Sequence, residues 1–201
     1  MSMKAMRGVS LLELLVGMTI GLLLLLAMSS LLVNLLNGQA RDRRQVQLGA
    51  MLDASLSLMA MELRRAGYWN GAGEAKDNPF GKLYIEPGGS CLRYAYDAPA
   101  PPKTDGKRFF AFRLTRDAAG QGRIQRLSAD APAWSCDAPD TQWDDLSKPE
   151  IGVIDSLNFA PDGTGAISLT VSAHAPGSAA DEKLDIHTSI TLRNQPQVIG
   201  P

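Results

Sequence analysis

The chain has 201 residues, 45% of them hydrophobic and 20% charged, with a formal net charge of -1. That composition excludes a disordered tail and fits one folded domain with an appended segment. Near-neutral charge supplies no electrostatic reason to bind nucleic acid.

Apolar content is concentrated at the start. From Leu11 to Leu36 the only charged side chain is Glu13, and beyond Gly38 the chain reads as soluble protein. At 1.5 Å per residue the run reaches roughly 39 Å, enough to cross hydrocarbon with some tilt. A cleaved secretory signal would be shorter and would end in a small-residue cleavage site, which Asn34, Asn37 and Gly38 do not provide. The small residue behind a basic head is Gly8, ahead of the run, so a cut there removes Met1–Gly8 and keeps the span. Lys4 and Arg7 precede the span and Arg41, Arg43 and Arg44 follow it, so the cations do not decide topology. A carboxylate in such a segment costs roughly 3 kcal/mol, which makes Glu13 a functional residue by default.

Past the span, Leu48, Leu52, Leu56, Met59 and Leu63 recur at steps of four, four, three and four, an apolar stripe along a helix. Arg64 and Arg65 suit its last turn, and Gly67 suits the residue beyond its end. No proline interrupts Val9 to Ala66; Gly38, next to Asn37, is the expected place for a bend, with Gly17, Gly21 and Gly49 as further weak points.

After Gly67 the texture changes to a turn-rich connector (residues 68–82), short alternating runs and a second loop at residues 98–103. Strands are predicted at Leu83–Ile85, Leu92–Tyr96, Phe110–Leu114, Ile124–Leu127, Ile167–Val171 and Leu184–Leu192. The stretch Pro161–Gly165, PDGTG, marks a hairpin turn between Phe159 and Ile167, and Ala175–Lys183 a longer connection. The reading is α+β: a long N-terminal helix whose outer half packs on a small antiparallel sheet.

Cys91 and Cys136 have no CxxC or histidine-rich spacing around them. Two such cysteines are either buried thiols or a disulfide; in an exported domain the disulfide is expected, closing a loop of about 45 residues. Trp134 and Trp143, on either side of Cys136, are expected to shield it. Catalytic constellations are poor. His174 and His187 stand in no motif and read as surface residues, and the chain holds no GxSxG, GxxxxGK or GxGxxG, so no cofactor is expected. Asp137, Asp140, Asp144 and Asp145 cluster, but without a twelve-residue calcium loop and its closing glutamate they read as a solvated acidic loop; no metal is expected.

Lys4, Arg7, Gly8 and Glu13 together resemble the class III signal of type IV prepilins: a short basic leader ending in glycine, then an apolar helix with glutamate fifth in the mature chain. The resemblance implies cleavage by a prepilin peptidase between Gly8 and Val9, and N-methylation of Val9. It also implies that Glu13 neutralises a terminal amine during filament assembly. Val9 departs from the more usual phenylalanine or methionine. A plainer role also fits Glu13, since a first-turn carboxylate suits the helix dipole and pairs at i,i+4 with the Val9 amine. The segment LRRAGYWNG, Leu63–Gly71, and the closing HTSITLRN, His187–Asn194, resemble the PilW-type minor pilins.

That resemblance implies a pilin-like fold in four parts: leader 1–8, membrane and assembly helix 9–37, amphipathic helix 38–67 and periplasmic β domain 68–201. It further implies a single-pass inner-membrane protein that moves to a surface pilus and helps to initiate it. Its implied partners are other minor pilins, the major pilin and the inner-membrane assembly platform. A type II secretion pseudopilin shares the same N-terminal chemistry and stands as the alternative. A membrane-tethered periplasmic enzyme or ligand-binding module is a third reading, weakened by the lack of a visible catalytic group.

Overall fold

The computed structural model describes residues 10–71, 73–97, 107–132, 134–177 and 182–200. The chain divides into two units, Met1–Arg43 and Arg44–Pro201. One helix, α1 (Leu11–Leu63), contributes to both and continues through Gly17, Gly21, Gly38 and Gly49 without a break. Among the described residues nine strands follow: β1 (Lys82–Ile85), β2 (Cys91–Ala95), β3 (Phe109–Arg116), β4 (Gly122–Ala129), β5 (Trp143–Asp145), β6 (Val153–Pro161), β7 (Ala166–His174), β8 (Lys183–Thr191) and β9 (Gln197–Ile199).

The strands form two sheets where one was expected. The larger has the order β5-β4-β3-β2-β1-β9 and the smaller β6-β7-β8. All neighbours are antiparallel except β1 and β9, which run parallel, so the larger sheet is mixed. The β6–β7 turn is the expected hairpin. Asp162 Oδ1 accepts from the Thr164 and Ala166 amides and the Thr164 hydroxyl. Those bonds, the Thr164 amide first, hold its carboxyl below the usual carboxylate range. The expected loop at residues 98–103 lies outside the described residues, as does the 178–181 part of the longer connection.

In the unit from Arg44 onward, the predicted stripe is the buried face of α1: Leu48, Leu52, Leu56, Met59 and Leu63 are 0–9% exposed. They share one apolar cluster with Leu92, Tyr94, Phe110, Phe112 and Ile124 of the larger sheet and Ile154, Leu157, Ile167, Leu169 and Val171 of the smaller. Each such burial stabilises by about 1.5–3 kcal/mol relative to exposure. A second, smaller cluster on the other face of the larger sheet gathers Cys91, Ala111, Leu127 and Trp143, with Trp134 and Cys136 against it.

The helix ends at Leu63, so Arg64 and Arg65 lie in the following turn and not in its last turn. Gly67 adopts φ +79, a conformation that disfavours side chains, and its N–H donates to Ala95 O at 2.8 Å. That bond ties the end of the helix directly to β2. In the unit Met1–Arg43 the helix behaves in the opposite way. Its large apolar side chains from Leu11 to Leu36 are exposed, from 47% at Val16 to 83% at Leu11.

Candidate functional site: two carboxylates on one helix

Glu13 sits in the first turn of α1. The Ser10 N–H donates to its Oε2 at 3.4 Å, and Ser10 Oγ accepts from the Leu12 N–H at 3.3 Å. The spacing Ser10-Leu11-Leu12-Glu13 is that of an S-x-x-E cap of a helix start, here with the serine hydroxyl on the second helical amide, Leu12, and not on the third. The remaining hydroxyls of the run turn inward on the helix itself: Thr19 donates to Val16 O, Ser29 to Leu25 O and Ser30 to Ala27 O. Gly8 and Val9, the expected cleavage and methylation positions, lie outside the described residues. The 18-residue window at the heart of this helix has a mean hydropathy of 2.4, which is long and apolar enough to cross a membrane.

Glu62 is the second carboxylate, and sequence reasoning missed it. It lies on the docked face of α1 and is 4% exposed. The Tyr96 hydroxyl donates to its Oε2 at 2.9 Å and the Tyr94 hydroxyl at 3.4 Å. Arg126 approaches the same oxygen and Arg65 the other, both at 3.6 Å. The Arg126 guanidinium also lies 5.4 Å from the Phe110 ring centroid. Burial first, and then the charge of Glu62, push the Tyr96 hydroxyl up to about 12 and the fully buried Tyr94 hydroxyl well above its ordinary value. The signal was present: Glu62 falls three residues after Met59, on the apolar stripe, where a charge must find buried partners.

Cys91 and Cys136 are joined as a disulfide, with Cα atoms 6.3 Å apart. The Trp143 indole donates to Ala138 O and the Trp134 indole to Phe110 O, both at 3.1 Å, so both rings pack beside the bridge. The acidic loop is ion-paired and not merely solvated. Asp140 meets Arg113 and Arg123, and Asp145 meets Arg123. Those arginines supply the charge that a cation would otherwise bring. Among the described residues no group of three histidine, cysteine or acidic side chains converges on a metal position. His174 Nδ1 lies 2.9 Å from Asp155 Oδ2 across the β6–β7 pair, and His187 Nδ1 lies 3.1 Å from the Thr170 hydroxyl.

A family model described as prepilin peptidase-dependent protein B matches residues 41–199. No curated protein matches the chain. No solved structure matches it either. The match spans the docked half of α1 and both sheets, well over half of the chain. The chain therefore belongs to the prepilin peptidase-dependent protein B family, a group of pilin-like peptidase substrates and not a family of enzymes.

Proposed function

We propose that this protein is a minor pilin of the PilW type, which takes part in initiating a type IV pilus and enters the filament or its tip through α1. In this reading a prepilin peptidase cuts between Gly8 and Val9, Val9 is methylated, residues 9–37 serve as membrane span and then as filament core, and residues 38–67 carry the β domain 68–201. The β domain is periplasmic before assembly and at the cell surface after it. Other minor pilins, the major pilin and the assembly platform are its partners.

The observation that carries this reading is Glu13: a carboxylate at the head of an exposed apolar run that holds, among the described residues, one hydrogen bond, from the Ser10 N–H. Such a group gains most from a cation brought by a neighbour, because a buried pair that lacks one partner is destabilised by about 3–5 kcal/mol. Wrong stagger between helices is thereby penalised. The test is deletion of the gene. Loss of surface pili and twitching with exoprotein secretion intact is expected; lost secretion with normal pili assigns the protein to a type II pseudopilus instead.

A further inference from the structure

The two halves of the disulfide are unequal. Cys91, in β2, is 5% exposed among Ala111, Leu127 and Trp143. Cys136 is half-buried on the loop between β4 and β5, in the wall of a polar surface cavity of about 520 Å³ that Cys91, Arg113, Ser135, Asp137 and Glu86 also line. Both cysteines border this cavity, and Cys136 is the more exposed of the two.

The loop is held by more than the disulfide. Arg113 Nη1 donates to Cys136 O at 2.8 Å and to Ala138 O at 3.3 Å, its Nε donates to Gln125 Oε1 at 3.0 Å, and its Nη2 pairs with Asp140. The guanidinium lies 4.1 Å from the Trp143 ring centroid. Arg93 Nη1 holds the same loop by Trp134 O at 3.1 Å. Arg113 is also the residue directly opposite Cys91 across the β2–β3 pair, so the two side chains stand on one face with Cβ atoms roughly 5 Å apart. A fixed cation beside a sulfur favours its thiolate.

We propose that Cys91–Cys136 is a thiol-exchange site in the folded protein, entered at Cys136 by a protein dithiol, with Arg113 as the residue that positions the loop and stabilises Cys91 as it leaves. A thiolate of the dithiol attacks Cys136 Sγ. The Cys91–Cys136 bond breaks, its electron pair leaves on Cys91 Sγ, and that sulfur takes up a proton. The second thiol of the dithiol then loses its proton and attacks its own sulfur in the mixed disulfide, releasing the Cys136 thiolate. The dithiol ends oxidised to a disulfide and this chain reduced by two electrons. The reverse sequence oxidises it. Access and leaving-group stability are the two quantities that set such rates. Here access selects Cys136 and Arg113 assists the departure of Cys91.

The test uses the full chain in detergent, with tryptophan emission confirming that each variant is folded. The free Cys136 thiol of Cys91→Ser is expected to react with dithionitrobenzoate at least tenfold faster than the free Cys91 thiol of Cys136→Ser; equal or reversed rates overturn the entry point. A thioredoxin lacking its resolving cysteine serves as the protein probe. A trapped mixed disulfide mapped by mass spectrometry to Cys136 is expected, and a bond to Cys91, or no bond, refutes the site. Arg113→Gln is expected to slow reduction by dithiothreitol about three- to tenfold, and Arg113→Lys to restore most of the rate. A purely structural clamp predicts the opposite sign, because a loosened loop is reduced faster. An unchanged or faster rate removes Arg113 from the mechanism.

Discussion

Replacing Glu62 by alanine is expected to be among the most destabilising single changes available in this chain. The carboxylate is 4% exposed and gathers two hydroxyls and two guanidinium groups. Its loss leaves the Tyr94 hydroxyl, on a residue with 0% exposure, without an acceptor, at about 1–3 kcal/mol. It also strands Arg126, whose side chain is 25% exposed, beside an apolar core, and breaking a buried pair costs about 3–5 kcal/mol. The two penalties overlap, and about 4 kcal/mol is the expected sum, a large share of the roughly 5–15 kcal/mol that holds a domain together. At a slope near 2 kcal/mol per molar, the urea midpoint falls by about 2 M. The assay is tryptophan emission of the detergent-solubilised full chain, since Trp69, Trp134 and Trp143 all lie in the unit Arg44–Pro201. The pairing argument also requires coupling. Glu62→Leu with Arg126→Leu is expected to be more stable than the sum of the single effects by at least about 1 kcal/mol. A loss below about 1 kcal/mol for Glu62→Ala, or strict additivity in the cycle, would refute the reasoning.

The same network predicts alkaline weakness. Tyr96 is pushed up to about 12 and Tyr94 in the same direction, so the folded state holds their protons more tightly than the unfolded chain. Their contribution is complete below pH 10 and drains away as pH rises toward 12. The urea midpoint is expected to fall over that range, and to fall less in Tyr96→Phe; parallel curves for the two proteins count against it. At Gly122 an added Cβ would collide with the Ile154 carbonyl oxygen, backbone against backbone. Gly122→Ala is expected to cost about 1–3 kcal/mol, read as a lowered melting temperature, and an unchanged melting point contradicts the close approach. Glu13→Gln is expected to leave a folded, membrane-resident protein with an unchanged urea midpoint that no longer supports pilus assembly; normal piliation removes Glu13 from the proposed role. The mature chain is expected to start at a methylated Val9, and an intact leader or a later start in N-terminal mass spectrometry rules out the proposed cut.

The docked face of α1 was legible because apolar residues at steps of three and four leave no second way to read it. What escaped was the rest of that face. Ser55 and Glu62 stand with Leu48, Leu52, Met59 and Ala66 at steps of four, three, four, three and four, and both are buried. Ser55 Oγ lies within 3.0 Å of Leu146 O and 2.9 Å of Met51 O. A stripe read from its apolar members alone leaves out the polar residues on the same face, each of which requires a buried partner. The strands β1–β4, β7 and β8 alternated visibly. The strands β5 and β9 are three residues each, too short to show alternation, and β6 hides it with a register shift between Ile154 and Ser156 that buries Val153 and Ile154 in succession. The arginines that neutralise the acidic loop come from β3 and β4, and pairings at that distance leave no local mark.

Glu13 and Glu62, both on α1, then make a pair of opposites. Sliding the docked half by one turn, about 5.4 Å, would keep leucine against an apolar surface, because the stripe repeats at nearly that interval. The same slide would carry Glu62 away from both tyrosine hydroxyls. Apolar burial therefore supplies the energy of docking, and Glu62 selects its register, because its acceptor sites are filled in one position only. Glu13 is built the other way. An ionised carboxylate offers about four acceptor sites, and among the described residues Glu13 uses one, at 3.4 Å, on the Ser10 N–H. The apolar side chains around it are as repetitive as the docked stripe, and the hydroxyls at Thr19, Ser29 and Ser30 are spent on their own helix. Any surface that covers residues 11–36 finds a single charge there, Glu13, with the Asn34 amide as the other polar group able to mark a register. A carboxylate whose partners are all inside the chain fixes an intramolecular fit; one left nearly empty is suited to fix an intermolecular one.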